Sequence, residues 1–141
     1  MPFPTVTLVA GAVLAHIYLY LTFRVIRLRR GNLISLGDGE NESLRVAIRA
    51  HGNFMEYVPL ALIMLLVCDV AGAPQWALWV PALALMIGRV LHGIGFSGDK
   101  PVMRLRVIGM VLTLNAIMWL IGLSIWQVIG AQFLAATGAS A

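Results

Sequence analysis

Charge is scarce in this chain. Only 11% of its 141 residues are Asp, Glu, Lys or Arg, and 60% belong to the AVILMFWYC set. Soluble domains average about 25% charged and about 45–50% apolar, so a soluble globular protein of this size would have far too little polar surface. The mean hydropathy of +0.90 excludes disorder, collagen and low-complexity linker as well. Acids are scarcer still, six against ten Lys and Arg, which leaves a formal net charge of +4. In a soluble chain that excess would suggest nucleic acid. Here the basic residues flank apolar runs, so they fit the anionic leaflet of a bilayer and no nucleic-acid partner is expected. Cysteine occurs once, at Cys68, which excludes an internal disulfide and leaves the redox compartment unreadable. A cleavable signal peptide is not expected either: Met1–Thr5 holds no basic residue, and the apolar run from Val6 continues past signal-peptide length.

What is present is four long apolar segments. They predict an all-α integral membrane bundle with spans at about 6–28, 44–70, 75–96 and 104–133, making one domain of 1–141. The first is nearly free of charge from Val6 to Phe23, and none shows the alternation of a β-barrel. Between the first two spans, the Gly-Asp-Gly-Glu-Asn-Glu stretch inside Gly31–Ser43 reads as an exposed loop. Val70–Pro74 and Ser97–Pro101 read as turns. Arg24, Arg27, Arg29, Arg30, Arg45 and Arg49 lie around the first loop, and Arg89, Lys100, Arg104 and Arg106 around the third. The N-terminus, the second loop and the C-terminal tail hold no Lys or Arg. That bias predicts loops one and three in the cytoplasm and both termini on the opposite side.

Ionisable groups inside a span cost roughly 2.5–3.5 kcal/mol each on insertion scales, so two sites stand out. Arg49, Asn53 and Glu56 recur at i, i+4, i+7 on one face of the second span, with Arg45 extending the stripe. Arg49 and Glu56 are ~10.5 Å apart along the axis, too far for a direct pair unless both bend. Arg89, His92 and Phe96 share a face of the third span, towards the same half of the bilayer. One structural reading has Glu56 neutralise Arg89 or Arg49 between packed helices. It accounts poorly for the surplus of Arg45, Arg49, Arg89, Arg104 and Arg106 over one acid. Excess guanidinium favours an anionic ligand, and its fork suits carboxylates. His16 reads as a packed or hydrogen-bonded interior histidine rather than a ligand. His51 and His92 lack a Cys or carboxylate at ligand spacing, so no metal is expected. The four Trp residues, 76, 79, 119 and 126, fit interfacial belts or packing. The Met and Leu periodicity of the fourth span reads as lipid-facing or core surface.

The run Arg49-Ala50-His51-Gly52-Asn53-Phe54-Met55-Glu56-Tyr57-Val58-Pro59 resembles the second-helix signature of the MAPEG superfamily, membrane-associated proteins of eicosanoid and glutathione metabolism. The shared pattern is Arg, three residues, Asn, two residues, Glu-Tyr, one residue, Pro. Span count and first-loop arginines agree over essentially the whole chain, and Arg89…His92-Gly93…Phe96 resembles the bacterial branch.

That resemblance implies a homotrimer of four-helix protomers with a glutathione site between neighbours, open to the cytoplasmic half of the bilayer. Glutathione is the co-substrate, and no metal is implied. Arg49, Asn53, Glu56 and Tyr57 would hold the tripeptide, with His51, Arg89 and His92 as further ligand contacts. Arg27 is favoured as the first-loop arginine reaching across from the adjacent protomer. Arg104 is the closer match, ahead of Arg106, to the arginine that faces the thiol and stabilises thiolate. Animal relatives carry tyrosines where this chain has His92 and Phe96, so one hydroxyl is missing. The implied activity is detoxifying conjugation of glutathione to a lipophilic electrophile in a bacterial inner membrane, with lipid hydroperoxide reduction as a variant. Two alternatives stand beside it: a proton-coupled transporter using Glu56, and a non-catalytic glutathione- or lipid-binding membrane protein.

Overall fold

A computed structural model describes residues 3–97 and 102–137. Most of the expected turn at Ser97–Pro101, and Lys100 with it, lies outside the described residues. Four helices make up the fold: α1 (Thr5–Gly31), α2 (Glu42–Val70), α3 (Gln75–Gly95) and α4 (Met103–Thr137). All four are long and apolar enough to cross a membrane, as the hydropathy predicts. At 1.5 Å per residue the 35 residues of α4 extend ~50 Å, beyond the roughly 30 Å of a hydrocarbon core.

Local chemistry sets the helix ends. Asn41 caps α2, its Oδ1 accepting from the Leu44 amide at 2.9 Å. At the other end of α2, Gly72 adopts φ +79°, the Ala73 amide donates to Cys68 O at 3.0 Å and the Gly72 amide to Asp69 O at 3.1 Å. That paired closure satisfies two terminal carbonyls, and Pro74 then prevents continuation. The start of α1 borrows its cap from α2. Asp69, buried near the end of α2, accepts from both the amide and the hydroxyl of Thr7 at 2.9 Å, placing a carboxylate at a helix N-terminus.

The helices run α1, α2, α4, α3 around the bundle, with α2 and α3 meeting across the middle and α1 and α4 not touching among the described residues. Small residues let α3 and α4 approach closely. A Cβ at Gly109 would lie 2.5 Å from Gly88 O, and one at Gly95 would lie 2.9 Å from the Arg106 amide nitrogen. Backbone contact of this kind supplies the dispersion that lipid, itself apolar, does not. Pro81 interrupts α3 and cannot donate to Ala77 O four residues back. The indole Nε1 of Trp119, on α4, donates to that carbonyl at 2.9 Å instead. Trp119 is thus a structural donor, whereas Trp76 and Trp126 are well exposed.

The core forms two clusters. One gathers Val6, Ala10, Leu65, Leu78 and Leu120. The other, nearer the arginine-rich end, gathers Leu14, Leu21, Phe54, Val58, Leu85 and Phe96. The outward faces remain apolar, with Leu60, Ile63, Ile87 and Met118 all exposed, as suits helices solvated by acyl chains.

Candidate functional site

Helical spacing delivers two polar stripes to one side of the bundle. Arg49 and Asn53 are one turn apart on α2, His92 lies in the last turn of α3 with Phe96 capping that helix, and Arg106 lies in the first turn of α4. Together they line a groove of about 290 Å³ whose other wall is apolar, including Met110 and Leu114. That volume lies at the lower limit of the roughly 300–1,000 Å³ of small-molecule sites. Two guanidinium groups line it and no carboxylate does. Chemically, such an arrangement can receive an anion that carries an apolar neighbour.

Arg89 is the largest fully buried side chain among the described residues. Its Nη1 donates to Asn53 Oδ1 at 2.9 Å, and its Nη2 to Gly109 O at 3.3 Å and Met110 Sδ at 3.4 Å. Arg89 therefore ties α3 to α2 and α4 directly beneath the groove. Its Nε is buried with no hydrogen-bond partner among the described residues, as is that of Arg106. The Arg106 guanidinium lies 4.0 Å from the centre of the Phe96 ring, a cation–π contact that holds the charge over a hydrophobic floor. Phe96 in turn stands 5.0 Å from the His92 ring, centre to centre. The missing hydroxyl at Phe96 is thus replaced by a ring face that seats a cation.

The expected site residues divide into those the groove joins and those it does not. Arg49, Asn53 and His92 line it, and Arg89 supports it through Asn53. His51 is half-buried on another side of α2, its ring 5.3 Å from that of Tyr18 on α1. Glu56 is exposed on the outside of the protomer and Tyr57 is half-buried; neither lines the groove. Glu56 does not neutralise Arg89 or Arg49. The one ion pair among the described residues joins Arg45 to Glu42, and the partner of Arg89 is neutral. Arg27 is exposed, whereas Arg24 is half-buried with an unpartnered Nη1 among the described residues. Arg104 is exposed and outside the groove that Arg106 lines. His16 is hydrogen-bonded, its Nδ1 to Ala12 O at 2.8 Å, but it is exposed on the protomer and not interior.

Sequence reasoning missed the apolar wall. Met103, Val107, Met110, Val111 and Leu114 belong to the Met and Leu periodicity of α4, yet they line the groove. The signal was that Met103, Met110 and Leu114 stand at −3, +4 and +8 from Arg106, on the arginine's own face, with Val107 and Val111, four apart, beside them.

Comparison with known proteins agrees with this architecture. The family model described as the MAPEG family matches residues 7–126. The chain is also 33% identical over 112 residues to the inner membrane protein YecN of Escherichia coli, in two strains, covering 79% of this chain and 84% of the relative. With four membrane-length helices and a family match running through all of them, this protein belongs to the MAPEG family.

Proposed function

We propose that this protein is a membrane-bound glutathione transferase that joins the glutathione sulfur to a lipophilic electrophile arriving from the bilayer. The observation that carries the reading is the groove itself: Arg49 and Arg106 line it with Asn53 and His92, and no acid accompanies them. Glutathione offers two carboxylates to guanidinium forks. Its single ammonium matches Glu56, the one acid of the α2 stripe; Glu56, Tyr57 and His51 stand outside this groove, so the α2 contribution expected of the family needs a neighbouring copy.

The site is completed by neighbouring copies in a homotrimer. Arg49, Met55 and Glu56 are exposed on the protomer within a span, and facing lipid would cost roughly 2.5–3.5 kcal/mol for each charge. Covering them with a second protomer removes that cost and brings in a first-loop arginine, Arg27 or the half-buried Arg24. The arginine bias supports a groove in the cytoplasmic half of the membrane, and the relative YecN is named as an inner membrane protein.

Arg106 takes the thiol-facing role in this reading, because it lines the groove and Arg104 does not. A guanidinium beside sulfur favours thiolate, the nucleophilic form. The thiol proton leaves to water, the sulfur forms a bond to the electrophilic carbon, and the leaving group departs with its electron pair. The apolar wall of α4 would hold the electrophile.

A conjugation assay on detergent-purified protein with a chlorinated nitrobenzene tests this. Arg106→Ala should lower kcat by about 100-fold, the loss typical of one charge-stabilising donor, with the KM for glutathione largely kept. Arg49→Ala should weaken glutathione binding by roughly 10–100-fold, and Arg104→Ala should change little. Full activity in both Arg106→Ala and Arg49→Ala would remove the proposed site. Glutathione binding without product would instead identify a non-catalytic binding protein.

A further inference from the structure

Three arginines of the bundle are held in three different ways. Arg45 is paired with Glu42, and the Nη atoms of Arg89 donate to Asn53, Gly109 O and Met110 Sδ. A guanidinium held like either of these has donors occupied before any ligand arrives. Arg106 is held by a ring. Its Cζ lies 4.0 Å from the centre of the Phe96 ring, no acid among the described residues pairs with it, and its Nε has no hydrogen-bond partner among them. A π-face attracts the whole cation and consumes no N–H that an oxygen or sulfur could accept.

The end of α3 is shaped for this seat. Phe96 closes the helix, its amide donating to Gly93 O at 3.1 Å, and the Val102 amide donates to Gly95 O at 2.9 Å, which draws the start of α4 against it. Gly95 then leaves room for the arginine. A Cβ there would lie 2.7 Å from Arg106 Cγ and 2.9 Å from the Arg106 amide nitrogen. The stem of Arg106 therefore crosses residue 95 and its guanidinium comes to rest on residue 96. His92, one turn earlier, packs against the ring at 5.0 Å between centres and limits its rotation. Phe96 and His92 are both buried, and a cation–π contact away from water is stronger than an exposed one.

We infer that Phe96 is the positioning residue of the transferase chemistry: its ring fixes the Arg106 guanidinium at the groove and leaves the N–H donors free for the glutathione sulfur. The inference rests on the transferase reading, in which the thiol proton leaves to water and Arg106 stabilises the thiolate. Phe96 touches neither the proton nor the sulfur. It acts through Arg106, because a donor already in place does not have to be ordered when the charge develops. The position that lacks the tyrosine hydroxyl of animal relatives thus works through its ring.

The ultraviolet absorbance of bound glutathione thiolate, read against pH on the full-length protein in detergent, tests this beside the conjugation assay. In Phe96→Leu, which stays apolar but loses the ring, the bound thiol should titrate about one pH unit higher. At neutral pH its kcat should fall roughly 5–30-fold, the worth of a cation–π contact, with the KM for glutathione largely kept. Phe96→Tyr retains a ring and should behave like the unaltered protein. In the Arg106→Ala background, Phe96→Leu should have little further effect. If Arg106→Ala moves the thiol titration and Phe96→Leu does not, the role of the ring is overturned and the transferase reading stands. A loss in Phe96→Tyr as large as in Phe96→Leu, or an undiminished effect of Phe96→Leu without Arg106, would overturn it equally. A titration that Arg106→Ala leaves unmoved would remove both the ring's role and the thiol-facing role of Arg106.

Discussion

Arg89 on α3 donates to Asn53 Oδ1 on α2 at 2.9 Å, and this single bond decides which way the Asn53 amide faces. With its oxygen occupied, Asn53 has its Nδ2 donors left for the groove it lines. Asn53→Ala should therefore lose stability, by about 1–3 kcal/mol for the stranded Arg89 donor, and also lose glutathione affinity. Asn53→Asp separates the two roles. Its carboxylate still accepts from Arg89, so thermal unfolding in detergent should stay near that of the unaltered protein. A negative charge now faces the groove, and calorimetric titration should show glutathione binding at least about tenfold weaker. Undiminished binding by Asn53→Asp would remove Asn53 from the ligand site.

The Trp119 bond to Ala77 O is the repair of a defect that Pro81 creates, and the two should be coupled. Trp119→Phe removes the donor and should destabilise by about 0.5–1.5 kcal/mol. Pro81→Ala restores a backbone N–H that can serve the same carbonyl. In the background of Pro81→Ala, Trp119→Phe should then cost much less. A double-mutant cycle of unfolding temperatures checks this, and strict additivity would show that the indole N–H does not substitute for the missing amide.

Much of this layout was legible in the chain, for physical reasons that also mark the limit. Hydropathy predicts the four spans because a backbone in lipid has few options other than helix. Arg49 and Asn53 share the groove because i, i+4 spacing places them together, whereas His51, two residues from Arg49, is turned about 200° around the helix and packs against Tyr18. Arg104 and Arg106 are separated by the same rotation, so only one can line the groove. Which one depends on how α4 sits against Phe96, and counting along the chain does not determine that. Asp69 is the harder case. It caps α1 from 62 residues away, and nothing near Asp69 or Thr7 in sequence signals the bond. The neutral partner of Arg89 was hidden for the same reason, since charge counting looks for an acid.

The crossing of α3 and α4 supports the groove, because His92 and Arg106 stand on opposite sides of it. A methyl at Gly109 would lie 2.5 Å from Gly88 O and 2.8 Å from the His92 backbone nitrogen, atoms that cannot move without the helix. Gly109→Ala should separate the helices, destabilise by roughly 1–3 kcal/mol and weaken ligand binding. At Gly122, on the same helix, a methyl would meet nothing within 4 Å. Gly122→Ala should be neutral or stabilising by up to about 1 kcal/mol. Equal effects at the two glycines, read from unfolding temperatures, would mean that the close crossing does not govern stability.

Leu33 carries the opposite expectation, a substitution that improves the protein. At φ +55° its Cβ crowds the following carbonyl, and that conformation costs an L-residue about 1–2 kcal/mol. Glycine occupies it without strain, although its greater freedom in the unfolded chain returns part of the gain. Leu33→Gly should therefore raise the unfolding free energy by a net amount of about 1 kcal/mol in neutral detergent. An unfolding free energy that Leu33→Gly leaves unchanged or lowers would mean that the left-handed position stores no strain.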